Sequence, residues 1–254
     1  MASQATTPVH VPKTRFKNLL CDLDGTLIDS GDLRVHLDFI RRSLPGLKRH
    51  QGWKAAIRAL KESQSILKIP STIETNFERL ISVFQKNFKL DREQAIEEMK
   101  NNVDGAFAKL EGHFGEMMGA SQFVDWAHGK YTLTLATNPA WSVDIVKLRM
   151  RWGGINPDFF QSITTADRMH ASKPTLEYYR EILLQEKFEA ADCLLIGNER
   201  EMDLPATGAG IAVFLIRTQA KALTCIEVPS EKSPGAWRGN YTHLQQFLEK
   251  NSGL

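Results

Sequence analysis

Two aspartates stand two residues apart in Asp22-Leu23-Asp24-Gly25-Thr26-Leu27, at the end of the apolar run 16–23 (FKNLLCDL). Carboxylates this close repel, and a cation between them removes that cost. Mg²⁺ prefers such hard oxygen ligands. With it in place, one carboxylate can act as a nucleophile and form an aspartyl-phosphate. The other can protonate the leaving oxygen and then deprotonate water. Gly25 permits a tight turn, which Thr26 can hydrogen-bond. An isolated D-x-D is as readily an acidic strand-to-turn junction, but the whole string DLDGTL is far more specific.

Carboxylates of this kind need a rigid frame, and the chain supplies a pattern for one. The run 16–23 is stopped by Asp and Gly, which favours a buried strand over a piece of helix. Further strands are expected at 131–137 (YTLTLAT), 161–165, 192–196 (DCLLI) and 211–216. Helices are expected between them, at 142–152, 175–187 and 201–209, and a last amphipathic helix begins at Asn240. Strands alternating with helices imply βαβ units around a parallel sheet covered on both faces. Reactive groups in such sheets collect at the carboxyl ends of the strands. Cys21, one residue before Asp22, should alternate away from it into the core. The segment 217–239, with two prolines and two glycines, reads as loop.

Between residues 31 and 115 the pattern changes. Leu33, Leu37, Ile40 and Leu44, then Ala56, Leu60 and Leu67, then Phe77, Leu80, Ile81, Phe84 and Phe88, recur at helical spacings. Strand patterns are absent there, and Pro45-Gly46 and Pro70 punctuate the helices. An all-helical insert of 85 residues is expected, preceded by a flexible lead-in over residues 1–15. The stretch 31–60 carries seven Lys or Arg against two acids. These are either solvated helix faces or a patch that draws anions.

Composition excludes several classes. The 254 residues are 42% hydrophobic and 24% charged, ordinary for a globular protein and unlike a disordered chain. A net charge of +2 is too small for a dedicated nucleic-acid binder. No apolar stretch is long enough to span a membrane, and the polar N-terminus lacks a signal-peptide core. Three cysteines without a C-x-x-C pair suit a reducing compartment, so a cytoplasmic setting is expected. Gly208-Ala209-Gly210 precedes a strand rather than following one, which argues against a dinucleotide fingerprint. The seven histidines show no ligand spacing, and His170, near Lys173, reads as a loop residue.

DLDGTL after an apolar strand resembles the first signature of the haloacid dehalogenase-like hydrolases. The resemblance extends over residues 16–216. A Thr ending the second core strand is matched by Thr137 in LATNP, and a Lys before a helix by Lys173 in SKPTLEYY. An acidic segment after a strand-end Gly is matched by GNEREMDLPATGAGI. The resemblance implies a Rossmann-like three-layer α/β core (16–30 and 116–254) with a central parallel sheet, and an inserted helical cap (31–115) that closes over the site. It implies Asp22 as nucleophile and Asp24 as general acid/base. Thr137, with Asn138, would bind a phosphoryl oxygen, and Lys173 would neutralise the site. Mg²⁺ would be held by Asp22, the Asp24 carbonyl, Asn198 and Asp203.

One position departs from the family pattern: Asn198 stands where an Asp usually follows the Gly. An amide oxygen still ligates Mg²⁺ but brings no charge. Members that remove halogen lack the second Asp of D-x-D, so Asp24 points to phosphate-ester hydrolysis of a small metabolite. The rivals are a catalytically silent binding protein on the same scaffold, motivated by Asn198, and a phosphomutase using the same residues. The oligomeric state is not legible in the sequence.

Overall fold

The computed structural model describes residues 16–30, 33–228 and 234–252. The expected lead-in, the insert's first two residues (Gly31 and Asp32) and 229–233 of the expected loop lie outside them. The chain begins with β1 (Asn18–Cys21) and β2 (Ile28–Asp29). Helices α1 (Leu33–Ile66), α2 (Asn76–Phe88) and α3 (Arg92–Glu98) follow, then a π-helical turn (Met99–Asp104) and α4 (Gly105–Phe107). Next come β3 (Gly115–Glu116), α5 (Ala120–Ala127), β4 (Thr132–Leu135), α6 (Val143–Trp152), β5 (Ser162–Ile163) and α7 (Leu176–Glu186). The chain continues through β6 (Cys193–Gly197), α8 (Arg200–Asp203), β7 (Ala212–Ile216), β8 (Thr224–Cys225), β9 (Ala236–Gly239) and α9 (Tyr241–Ser252).

Seven strands form one sheet in the order β5-β4-β1-β6-β7-β9-β8, parallel except for the β8 edge. Alternation along each strand splits the core into two layers. Leu19, Cys21, Leu133, Leu135, Leu194, Ile196 and Phe214 face α5, α6 and α9. Leu20, Leu195, Val213 and Leu215 face Tyr178, Tyr179 and Ile182 of α7. This is the expected three-layer α/β core, with Cys21 fully buried in it. Side chains at i and i+2 share a face, so Asp22 follows Leu20 toward the α7 side.

The helical stretch has an apolar core of its own, built by Leu47, Ala55, Ala56 and Ala59 of α1, Ile81, Phe84 and Phe88 of α2, and Ala95 of α3. Two details differ from the sequence reading. Pro45 lies inside α1 rather than ending it, and the break falls at Gln51-Gly52, where Gly52 has φ 76° and ψ −179°, a region open only to glycine. Leu37 and Ile40, expected on the packed face, are exposed at 59% and 39%. The helix serves two clusters, Val35 and Phe39 packing at one end and Leu44 and Leu47 further on, so no single stripe runs its length. The insert is also closed by a short antiparallel pair, β2 with β3, which a purely helical pattern did not anticipate.

The segment 217–239 is not all loop. Ala236 and Trp237 of β9 are buried and pair with β7, and β8 pairs with β9. Prolines and glycines around four residues of strand masked a period too short to read. Among the described residues no helix is long and apolar enough to cross a membrane.

Candidate active site

A cavity of about 480 Å³ opens over the carboxyl ends of β1, β4 and β6. It is lined by the seven site residues that the family resemblance implied: Asp22, Asp24, Thr137, Asn138, Lys173, Asn198 and Asp203. Asp22 follows β1 and is fastened to the sheet by its backbone N–H, which donates to the Ile196 carbonyl at 2.8 Å. The chain then turns at Gly25, whose φ of +72° needs glycine. A Cβ there would lie 2.3 Å from Asn198 Nδ2, so Gly25 also lets the two site loops approach.

Lys173 joins two carboxylates. Its Nζ donates to Asp22 Oδ1 and to Asp203 Oδ1, both at 2.7 Å, and all three residues are buried. Burial alone would lower the ammonium pKa, but Asp22 and Asp203 outweigh it and hold the group well above its ordinary range. Asp203 is anchored further: its Oδ2 accepts from the backbone N–H of Asn198 and of Glu199, each at 3.0 Å. Burial pushes Asp22 up to about 6 against the pull of Lys173, with Asp203 and Asp24 adding to the rise. Asp22 Oδ2 accepts from the Thr26 hydroxyl at 3.1 Å, and that hydroxyl also lies 3.2 Å from Asn198 Oδ1. Asn198 is thereby held beside Asp22.

Thr137 is buried at the end of β4, and its carbonyl accepts from Thr164 Oγ1 at 2.7 Å and Tyr178 OH at 2.8 Å. Asn138, next to it, is exposed to the cavity. His170 does not line the cavity and pairs instead with Glu181 at 2.7 Å. The basic residues of 31–60 do not line it either; Arg41 and Arg42, for example, pair with Asp38.

Two residues escaped the sequence reading. Arg149, on α6, has its side chain 5% exposed and forms an ion pair with Asp24, whose side chain is 40% exposed. Its guanidinium lies 5.6 and 5.8 Å from the Phe107 and Phe114 ring centroids. A charge four residues after Ile145, on the buried face of α6, was the available signal. Asn76, the first residue of α2, is fully buried. Its amide nitrogen lies 3.3 Å from the Pro139 and Ala171 carbonyls and 3.2 Å from Ser172 Oγ, tying together the loops that carry Thr137 and Lys173. Nothing in a helix start after Thr75 foretells that. Glu199, which the sequence offers either as a surface-loop residue or as compensation for the charge Asn198 lacks, lines the cavity beside Asn198.

The lining sets four carboxyl groups (Asp22, Asp24, Glu199, Asp203) against two fixed cations (Arg149, Lys173). An anionic ligand would be repelled by that excess, and a divalent cation would cancel it. Among the described residues no three acidic, His or Cys side chains converge as a ligand cluster. The oxygens that line the cavity and could face a cation are those of Asp22, Asn198, Glu199 and Asp203, with the Asp24 carbonyl. That oxygen-only set fits Mg²⁺ in chemistry.

No curated protein sequence matches the chain. Among solved structures, a 2-haloacid dehalogenase from Pseudomonas syringae pv. Tomato DC3000 is similar over 92% of this chain and 99% of its own, with 18% identity and a TM-score of 0.59. A HAD phosphatase from Thermococcus onnurineus is similar over 92% and 98%, with 17% identity and a TM-score of 0.54. YfnB from Bacillus subtilis, in a structure bound to magnesium, is similar over 92% and 99%, with 18% identity and a TM-score of 0.50. At such identities these likenesses speak for the fold alone. The family model of the haloacid dehalogenase-like hydrolases matches residues 19–216, a span that holds every polar group described at the cavity, and the chain belongs to that family.

Proposed function

We propose that the protein is a Mg²⁺-dependent phosphohydrolase that cleaves a phosphate monoester of a small metabolite through an aspartyl-phosphate on Asp22. The observation that carries this reading is the second carboxylate, Asp24, lining the same cavity as Asp22. A halide leaves without a proton, whereas an alkoxide needs one, so a proton carrier beside the nucleophile serves ester cleavage.

In this account the Asp22 carboxylate attacks phosphorus as the bond to the ester oxygen breaks, and Asp24 gives that oxygen its proton. Asp24 then takes a proton from water, whose oxygen attacks the phosphorus of the aspartyl-phosphate. Phosphate leaves and Asp22 is restored. Lys173 and the Thr137 hydroxyl stabilise the charge that gathers on the phosphoryl oxygens. Asp22, the Asp24 carbonyl, Asn198 and Asp203 would hold Mg²⁺, which would supply charge neutralisation when bound, and Asp203 also fixes Lys173. The helical insert is the cap that shields the intermediate from water. A reducing, cytoplasmic setting suits its free thiols at Cys21, Cys193 and Cys225.

The test is phosphate release from a panel of phosphate esters with and without Mg²⁺, beside Asp22→Asn. Mg²⁺-dependent release, lowered at least about a thousandfold in a folded variant, is expected. Release unchanged by the substitution contradicts the reading. Absence of both release and Mg²⁺ binding favours the silent protein, and rearranged ester without free phosphate favours the mutase.

A further inference from the structure

The cavity lining is of two kinds. Besides the polar groups it includes Phe39, Phe107, Phe114 and Trp141, with Val35. These rings come from α1, α4, the segment before β3 and the loop after β4, so the fold gathers them from distant parts of the chain. They form one packed set: Phe107 and Trp141 have centroids 4.4 Å apart, Phe39 meets Trp141 edge-on at 5.4 Å, and Phe107 lies 5.7 Å from Phe114. Holding the insert to the core explains the back of this cluster, where Phe107, Leu110 and Ile145 are buried. It does not explain why Phe39, Phe114 and Trp141 keep part of their surface open while lining the cavity.

Apart from the groups assigned above to the phosphoryl group, the cation and proton transfer, the polar residues of the lining are Ser30, His36 and Arg149, the last paired through one guanidinium nitrogen with Asp24. A hydroxyl-rich group placed against the rings would lose water without replacing its hydrogen bonds. A planar apolar group would gain ring contacts and displace poorly held water. About 480 Å³ is ample for a phosphoryl group and one ring system.

We infer that the group esterified to phosphate is aromatic: the substrate is an aryl, arylalkyl or heteroaromatic phosphate rather than a sugar or polyol phosphate. This rests on the phosphohydrolase reading for the phosphoryl end of the site, and the aromatic lining supplies the rest.

Phosphonates separate binding from turnover, because their C–P bond is not cleaved. Calorimetry with Mg²⁺ would compare benzylphosphonate, cyclohexylmethylphosphonate and 3,4-dihydroxybutylphosphonate on the wild-type protein and on Phe39→Leu. Benzylphosphonate should bind at least about tenfold tighter than the diol, and Phe39→Leu should narrow that gap about 3- to 10-fold. Equal or tighter binding of the diol, equal binding of the cyclohexyl compound, or no binding of the three overturns the assignment. Selective binding of benzylphosphonate without turnover of any ester would remove the hydrolase reading and leave the ligand class standing. Turnover without aromatic preference would do the reverse.

Discussion

Asp22 carries a conflict that its surroundings only partly settle. Burial raises its carboxyl to about 6, although Lys173 donates to it at 2.7 Å. In the unfolded chain an Asp titrates near about 4, so between about pH 4 and about pH 6 the native protein holds a proton that the unfolded chain has lost. Stability therefore falls as pH rises through that window. Urea unfolding in chelator should show the slope in the wild-type protein and its loss in Asp22→Asn; parallel pH profiles would contradict it. Asp22 and Asp24 were legible because they end a readable apolar strand, whereas Thr137, Lys173 and Asp203 were singled out only through the family resemblance, since alone they read as ordinary strand and helix residues. Arg149 was not legible, since one charge on an amphipathic helix resembles a solvated residue until the partner Asp24, 125 positions away, is in view.

At the scale of elements, the βαβ alternation was readable because strands buried on both faces leave continuous apolar runs. The insert was readable only as helical. Its break was misplaced because Pro45 is the louder signal, while Gly52 alone can adopt the conformation the break requires. An added Cβ at Gly52 meets nothing within 4 Å, so Gly52→Ala tests the backbone by itself. A loss of about 1–3 kcal/mol in urea unfolding is expected. A gain, as in an ordinary helix interior, would mean the break is not held. Asn76 makes the complementary case. Its side chain joins the Thr137 and Lys173 loops, so Asn76→Ala leaves two buried carbonyls short of a donor. The expected cost is about 1–3 kcal/mol, with a lower kcat as Lys173 loses its support. An unchanged kcat would confine Asn76 to stability.

For the whole molecule, one sheet presents acids and Lys173 at its carboxyl edge, and three rings of the helical insert with Trp141 of the core line the same cavity. The same architecture is shared with a dehalogenase and a phosphatase, so the reaction must be argued from the cavity. There the second carboxylate and the excess of acids favour ester cleavage assisted by a divalent cation. The most direct test of that account is to mix the protein with Mg²⁺ and ³²P-labelled benzyl phosphate, quench in acid within one turnover, and locate the label. The account predicts an alkali-labile acyl phosphate on the peptide containing Asp22, absent from Asp22→Asn. Turnover with no labelled protein, or with label on any other residue, would contradict it.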